Sequence, residues 1–235
     1  MDKLMLSDTI TDNDITEETV SNDAVVADEV KIYVVPDVQV KSKPVYSALK
    51  RLFDIVASFV ALILTLIPML VISVMIKRDS PGPALFCQER LGRDGVPFMM
   101  YKFRTMRLDA EKDGAAWAER DDPRCTNFGK FLRKTRLDEL PQLWNILRGD
   151  MSFVGPRPER QCFYDKFEEY IHGFSKRMAV KPGLTGHAQV NGGYDLTPEE
   201  KIVYDMDYIK RRSIPMDIEC IIKTVEVVFT QKGAR

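Results

Sequence analysis

The sequence predicts an α+β protein, mainly helical: an N-terminal re-entrant membrane helix hairpin, then a small cytosolic domain with a short β-hairpin and amphipathic interfacial helices. Three observations carry this. Ile55 to Ile76 reads "IVASFVALILTLIPMLVISVMI", 22 residues without a charge, enough for the ~20 residues that cross a hydrocarbon core. "ALFCQERLGRDGVPFMMYKFRTM" places two strand-like runs around an Asp94-Gly95 turn. Helix caps and apolar stripes then recur from Asn127 to Phe229.

Residues 1–44 read as an acidic tail without regular structure, apart from a candidate strand in "VKIYVV". The first 30 residues hold nine acids and one base, Lys3, whereas residues 31–235 carry 33 bases against 26 acids. The net charge of −1 therefore hides a basic body, suited to anionic lipid or phosphorylated ligands. The acidic start lacks the basic n-region of a signal peptide, so export is not expected. Cys87, Cys125, Cys162 and Cys220 lie far apart, and His172 and His187 have no metal-ligand spacing. These read as reduced thiols without a zinc site. No repeat, Walker loop or dinucleotide fingerprint is present, and no nucleic-acid partner is expected.

Residues 45–79 form the membrane segment. Lys50 and Arg51 precede the apolar run and Lys77 and Arg78 follow it, so both ends favour the cytoplasmic side. Pro68, inside the run, removes a backbone hydrogen bond and favours a break. A re-entrant hairpin satisfies both facts; one kinked transmembrane helix is the alternative.

Residues 80–235 form the third unit. "SPGP" (Ser80 to Pro83) stops the helix. In the hairpin that follows, Lys102 and Arg104 are two apart and share a strand face, as converging cations or as a solvated edge that discourages aggregation. Residues 109–126 read as a loop with at most a helical turn. "NFGKFLRKT" and "DELPQLWNILRG" read as helices. In the second, Leu140, Leu143, Trp144 and Leu147 follow i, i+3, i+4, i+7, Trp144 is expected in core or interfacial packing rather than at a cofactor, and Gly149 supplies the stop. "KPGLTGHAQVNGG" reads as a Gly-rich loop whose backbone approaches a ligand. "TPEE" at Thr197 is a capping box opening a helix toward Arg211. A last helix from about Pro215 carries Ile218, Ile221, Ile222, Val225 and Phe229 on one stripe, expected to pack on the core. A bilayer surface or a homodimer contact would suit it as well.

The chemistry concentrates in "TRLDELPQLWNILRGD". Asp138 stands where an N-cap would, beside Glu139 and a first-turn Pro141, and a cap alone would explain "DELP". Yet Arg133, Lys134 and Arg136 lie just upstream, Arg148 downstream, and "GPRP" sets Arg157 between two prolines. Guanidinium groups match phosphate oxygens. Two acids in such a field can hold Mg²⁺, which takes one or two carboxylates plus substrate phosphates. A carboxylate is also ionised at neutral pH and can attack phosphorus without a general base.

"KRLFDIVAS", "SPGPALFCQERLGRDGVPFMMYKFRTM", "LRKTRLDELPQLWNILRGDMSFVGPRPE" and "KPGLTGHAQVNG" together resemble, in order, the bacterial polyprenyl-phosphate sugar-1-phosphate transferases. These monotopic phosphoglycosyl transferases initiate exopolysaccharide and other surface-glycan assembly, and the likeness runs from about Lys50 to the C-terminus. It implies transfer of a sugar 1-phosphate, a hexose by the nearest likeness, from a UDP-sugar to polyprenyl (undecaprenyl) phosphate with release of UMP. It further implies a covalent phosphosugar-aspartate intermediate and a re-entrant helix in the bacterial inner membrane, at its cytosolic face. Carried over by motif, Asp138 is the nucleophile and Glu139 its partner in holding Mg²⁺, while Lys102, Arg104, Arg133 and Arg157 grip phosphates. The chain departs from the pattern at Ile67, where many relatives have Ser before the membrane proline Pro68, and at Gly193, where "NGR" is common. It also carries His187 where an apolar or aromatic residue is frequent. The reading from a different class is a non-catalytic basic anchor or scaffold of a glycan-assembly complex, held by membrane lipid. A further enzymatic variant uses Asp138 only as a metal ligand and transfers the phosphosugar directly.

Overall fold

The computed structural model describes residues 16–18, 32–38, 40–112, 114, 122–193 and 196–230. Helices dominate, with short strands in three small sheets. Most of the tail lies outside the described residues, as does most of the loop between Lys112 and Asp122.

The candidate strand in the tail is real. β2 (Ile32–Val34) pairs antiparallel with β1 (Thr16–Glu18) on one side and parallel with β6 (Ile171–His172) on the other. It delivers Val35, 1% exposed, into the main core with Tyr164, Phe167, Phe174, Ile202 and Met206.

The apolar segment is one continuous helix, α1 (Pro44–Asp79), with Pro68 inside it rather than at a break between two helices. At 1.5 Å per residue its 36 residues extend about 54 Å, more than a ~30 Å hydrocarbon core requires. A stripe along it faces protein: Asp54, Ser58, Ile72 and Ile76 are buried, with Ala61, Leu62 and Met69 partly so. The remaining faces leave Leu52, Phe59, Ile63, Leu64, Ile67 and Val71 exposed. Both ends are tied to the same domain. Near the N-terminus Lys50 Nζ pairs with Asp217 Oδ2 at 2.8 Å, and Tyr46 and Tyr208 donate to the same carboxylate. At the C-terminus Arg104 donates to the carbonyls of Ser80 and Pro81, while Ile72 and Ile76 pack on Phe103 and Leu132.

The expected hairpin forms from β3 (Leu85–Leu91) and β4 (Pro97–Phe103), in register from Leu85↔Phe103 to Leu91↔Pro97. Asp94 adopts φ 56° at the turn, a left-handed conformation that Asp tolerates better than most residues. α2 (Asn127–Thr135), capped by the Thr126 hydroxyl, leads through a 3-10 turn, Leu137–Glu139, into α3 (Gln142–Arg148), which ends at Gly149 in the left-handed region. β5 (Ser152–Val154) and β7 (Gly183–Thr185) pair in parallel. α4 (Gln161–Glu168), α5 (His187–Asn191), α6 (Pro198–Arg211) and α7 (Ile214–Thr230) complete the domain. The Thr197 capping box is present.

Three expectations are corrected. The Gly-rich "KPGLTGHAQVNGG" is not all loop: it contains β7 and α5, and Gly183 and Gly186 serve backbone packing, since a Cβ at either would lie 2.1 Å from the Gly155 nitrogen or carbonyl oxygen. Trp144 is 49% exposed, which removes the core from its two expected uses, core or interfacial packing, because the buried side of α3 consists of Gln142, Leu143, Asn145 and Ile146. On α7, Ile218, Ile222 and Val225 are exposed while Asp217 and Cys220 are buried. The helix is rotated inward on its carboxylate, since Asp217 meets Lys50, Tyr46 and Tyr208. The Phe229 side chain lies outside the described residues.

Val35→Ala should destabilise the detergent-solubilised protein by about 2 kcal/mol, read as a fall in melting temperature of roughly 4–8 °C. Asp37→Ala, whose ion pair with Lys176 is open to solvent, should leave it nearly unchanged. Equal effects would show that the strand is not part of the core.

Candidate active site

The question posed by "DELP" is settled by geometry: Asp138 does not cap α3. It sits inside the 3-10 turn, and the residue before α3 is Pro141, with no side-chain cap. The chain enters the turn through Arg136 at φ 59°, ψ 12°. This reverses direction after α2 and aims both acids inward, where each is 7% exposed.

The neighbours differ sharply in their partners. Glu139 is gripped by Arg157 through two bonds, Nη2 to Oε1 at 2.8 Å and Nη1 to Oε2 at 3.2 Å. Gln142 Nε2 approaches Oε2 at 3.4 Å, and Arg136 stands 3.8 Å from Oε1. Asp138 has a buried oxygen, Oδ1, with no hydrogen-bond partner. Buried carboxylate oxygens normally have one. Burial pushes the Asp138 carboxyl up to about 6, and the charge on Glu139 adds to this against the pull of Lys102, Arg133 and Arg157. For Glu139 burial acts the same way, but Arg157, Lys102 and Arg136 outweigh it and hold the group well below the usual carboxylate range.

These groups line a cleft of about 750 Å³, within the usual range for small-molecule sites. Lys102 from β4, Arg133 from α2, Asp138 and Glu139 from the turn and Arg157 form one end. Arg133 is oriented by its Nε bond to the Thr105 hydroxyl at 3.0 Å. An apolar wall comes from Leu184, Ala188, Ile221 and Val225. Arg104 also borders the cleft, but its guanidinium is bonded to Ser80 and Pro81, so it fastens the exit of α1 to the hairpin. His187 lies outside, 3.5 Å from Asp207 and edge-on to Tyr204.

Sequence reasoning passed over Gln142 and Thr105, and read Arg136 only as one of the cations around the acid pair, not as a partner of Glu139. Arg136 and Gln142 sit three residues on either side of Glu139, a spacing that signals contact in helical turns. Nothing local points to Thr105, which meets Arg133 from 28 residues away.

Residues 45–231 match the family described as Bacterial sugar transferase. The chain belongs to that family. It is 43% identical over 195 residues to the UDP-N-acetylgalactosamine-undecaprenyl-phosphate N-acetylgalactosaminephosphotransferase of Aeromonas hydrophila, covering 82% of this chain and 46% of that protein. It is 44% identical over 191 residues to the UDP-glucose:undecaprenyl-phosphate glucose-1-phosphate transferase of Xanthomonas campestris pv. campestris, covering 79% and 40%. With the protein of that same name from Caulobacter vibrioides it shares 42% identity over 190 residues, covering 79% of this chain and 71% of the relative. The chain thus spans under half the length of the first two. The family match takes in the whole cleft but stops short of β2, the strand that leads to Val35 in the core.

The raised Asp138 value has a consequence for stability. Its carboxyl binds a proton more tightly folded than unfolded, so a penalty on folding grows as pH rises from the unfolded value of 3.8, is complete above about 6, and is absent below 3.8. Asp138→Asn removes it. In EDTA at pH 8 this variant should be more stable than the parent by about 3 kcal/mol, with the gain shrinking toward pH 4. Denaturant titration at the two pH values measures this, and an equal or reversed gain would contradict the burial argument.

Proposed function

We propose that this member of the bacterial sugar transferases moves a sugar 1-phosphate from a UDP-sugar to undecaprenyl phosphate, releasing UMP, in two displacements at Asp138. The observation that carries the reading is the buried Asp138 oxygen without a hydrogen-bond partner, in a cleft that Lys102, Arg133 and Arg157 also line. In the first displacement that oxygen attacks the phosphorus bearing the sugar. The bond from this phosphorus to the oxygen it shares with the uridylyl phosphorus breaks, and UMP leaves with that oxygen. In the second, an oxygen of the lipid phosphate attacks the same phosphorus and the bond to Asp138 breaks, restoring the carboxylate and yielding a polyprenyl diphosphate sugar. A desolvated, more basic carboxylate is the stronger nucleophile. Lys102, Arg133 and Arg157 would offset charge on the phosphoryl oxygens, the main catalytic contribution in phosphoryl transfer.

Mg²⁺ fits this donor set. Asp138 offers an oxygen without a partner and Glu139 retains lone pairs beyond its Arg157 bonds. No group of three acids, histidines or cysteines gathers among the described residues, as suits an ion completed by substrate phosphates. Bound there, it would neutralise phosphate charge. The relatives are named for both glucose and N-acetylgalactosamine; a hexose is the sugar proposed here.

The fastening of both ends of α1 to one domain supports a re-entrant placement at the cytosolic face of the inner membrane. A helix that crossed the bilayer would carry one of those ends away from its docking site.

Membranes carrying Asp138→Asn should release no UMP from a panel of UDP-sugars with undecaprenyl phosphate, whereas the parent should turn over one hexose donor and stop in EDTA. Undiminished turnover by the variant would remove Asp138 as nucleophile. Cysteine tags at either terminus and after Gly114 should all react from the cytosolic side only. Labelling of the N-terminus from outside would mean a spanning helix.

A further inference from the structure

We infer that Arg51 and Asp54, on the protein-facing stripe of α1, are positioning residues for the reaction: the membrane helix is the template on which the phosphate site is assembled. The inference rests on the function proposed above for the reaction it serves, but its geometry does not.

Charged groups buried along an apolar helix are costly unless paired and bonded. Asp54 is 2% exposed, and each residue meets backbone of the catalytic domain. Arg51 donates from Nη1 to the Ile146 carbonyl at 2.7 Å and from Nη2 to the Leu147 carbonyl at 2.8 Å. Those carbonyls belong to the last turn of α3, where helix geometry leaves carbonyls short of donors and a cation is favoured by the dipole. Gly149, at φ 98°, leaves room for this: a Cβ there would stand 3.2 Å from Arg51 Nη2. Asp54 Oδ1 accepts from the Ser152 hydroxyl at 3.1 Å and from the Phe153 amide at 3.0 Å, the first residues of β5.

The segment thus fastened connects the working groups. α3 follows directly from Asp138 and Glu139, and β5 runs through Gly155 and Pro156 to Arg157, which returns to grip Glu139. The chain from 138 to 157 is therefore a loop closed by an ion pair at its ends and pinned at its middle to α1. Asn145, in the same segment, accepts from the Tyr101 amide and donates to the Met99 carbonyl, joining β4 and hence Lys102 to the same support. Neither Arg51 nor Asp54 lines the cleft, so their effect on the chemistry passes through the residues they hold. Displacing a reacting group by about 1 Å costs on the order of a hundredfold in rate.

The test uses the full-length protein in lipid nanodiscs. Asp54→Asn keeps an acceptor oxygen for Ser152 and Phe153, whereas Asp54→Ala removes it. Asp54→Ala should lower kcat at saturating UDP-sugar by at least about tenfold with KM within about twofold, and Asp54→Asn should stay near the parent. Amide hydrogen exchange should quicken at 152–157 in Asp54→Ala but not in Asp54→Asn, with α6 unaffected. Should Asp54→Ala lose protection throughout, Arg51→Lys decides: it keeps the flanking charge but not the two-pronged bond, and should lower kcat without raising KM. Parental kcat in Asp54→Ala with parental exchange at 152–157, or parental kcat in a folded Arg51→Lys, would overturn the inference. A parent protein that releases no UMP from any donor would overturn the proposed function alone, because the exchange pattern would still report the positioning.

Discussion

The two-pronged bond between Arg157 and Glu139 sets the character of the whole site. It satisfies one of two adjacent buried acids and leaves the other without a partner. Two neighbouring carboxylates in a desolvated pocket cannot both be equally at ease with their charge. Here Arg157, Lys102 and Arg136 stabilise Glu139, whose fixed charge then joins burial in raising Asp138. Glu139 is thereby held as a fixed charge, while Asp138 keeps an oxygen open for the chemistry proposed for it, although the two are consecutive in the chain.

That division depends on long-range placement. Arg157 reaches Glu139 only because α3 and β5 fold back between them, and both elements rest on the buried stripe of α1. The helix exposes apolar surface over its other faces, so the catalytic domain takes one side of its circumference and leaves the rest suited to hydrocarbon. Anchoring and site assembly are two uses of one element, which accounts for buried polar residues inside a segment otherwise suited to hydrocarbon.

Much of this was legible in the sequence where the signal is local. The Asp94-Gly95 hairpin, the Thr197 capping box, the Gly149 stop and the boundaries of α2 each follow from a few adjacent residues, and all are present. Reading failed where a distant partner decides. On α7, Ile218 and Ile222 are exposed while Ile221 packs on the core and Val225 borders the cleft, an arrangement that accompanies the pull of Lys50 and two tyrosines on Asp217, partners that periodicity cannot weigh. The glycines of "KPGLTG" serve a strand packed on Gly155, nearly thirty residues earlier. Asp138 looked like a cap because its neighbours match one; the left-handed Arg136 moves it into a separate turn. Lys102, Arg133, Asp138, Glu139 and Arg157 do converge on one cleft, whereas the bonds that arrest Arg104 on Ser80 and Pro81 had no local signature.

The central claim, that the Asp138 carboxylate becomes bonded to phosphorus, is tested most directly by isotope exchange without the lipid acceptor. A covalent intermediate lets labelled UMP return into UDP-sugar when no undecaprenyl phosphate is present, at a rate that Asp138→Asn abolishes. Exchange that appears only after the lipid phosphate is added would contradict the account and place the transfer in a single direct displacement.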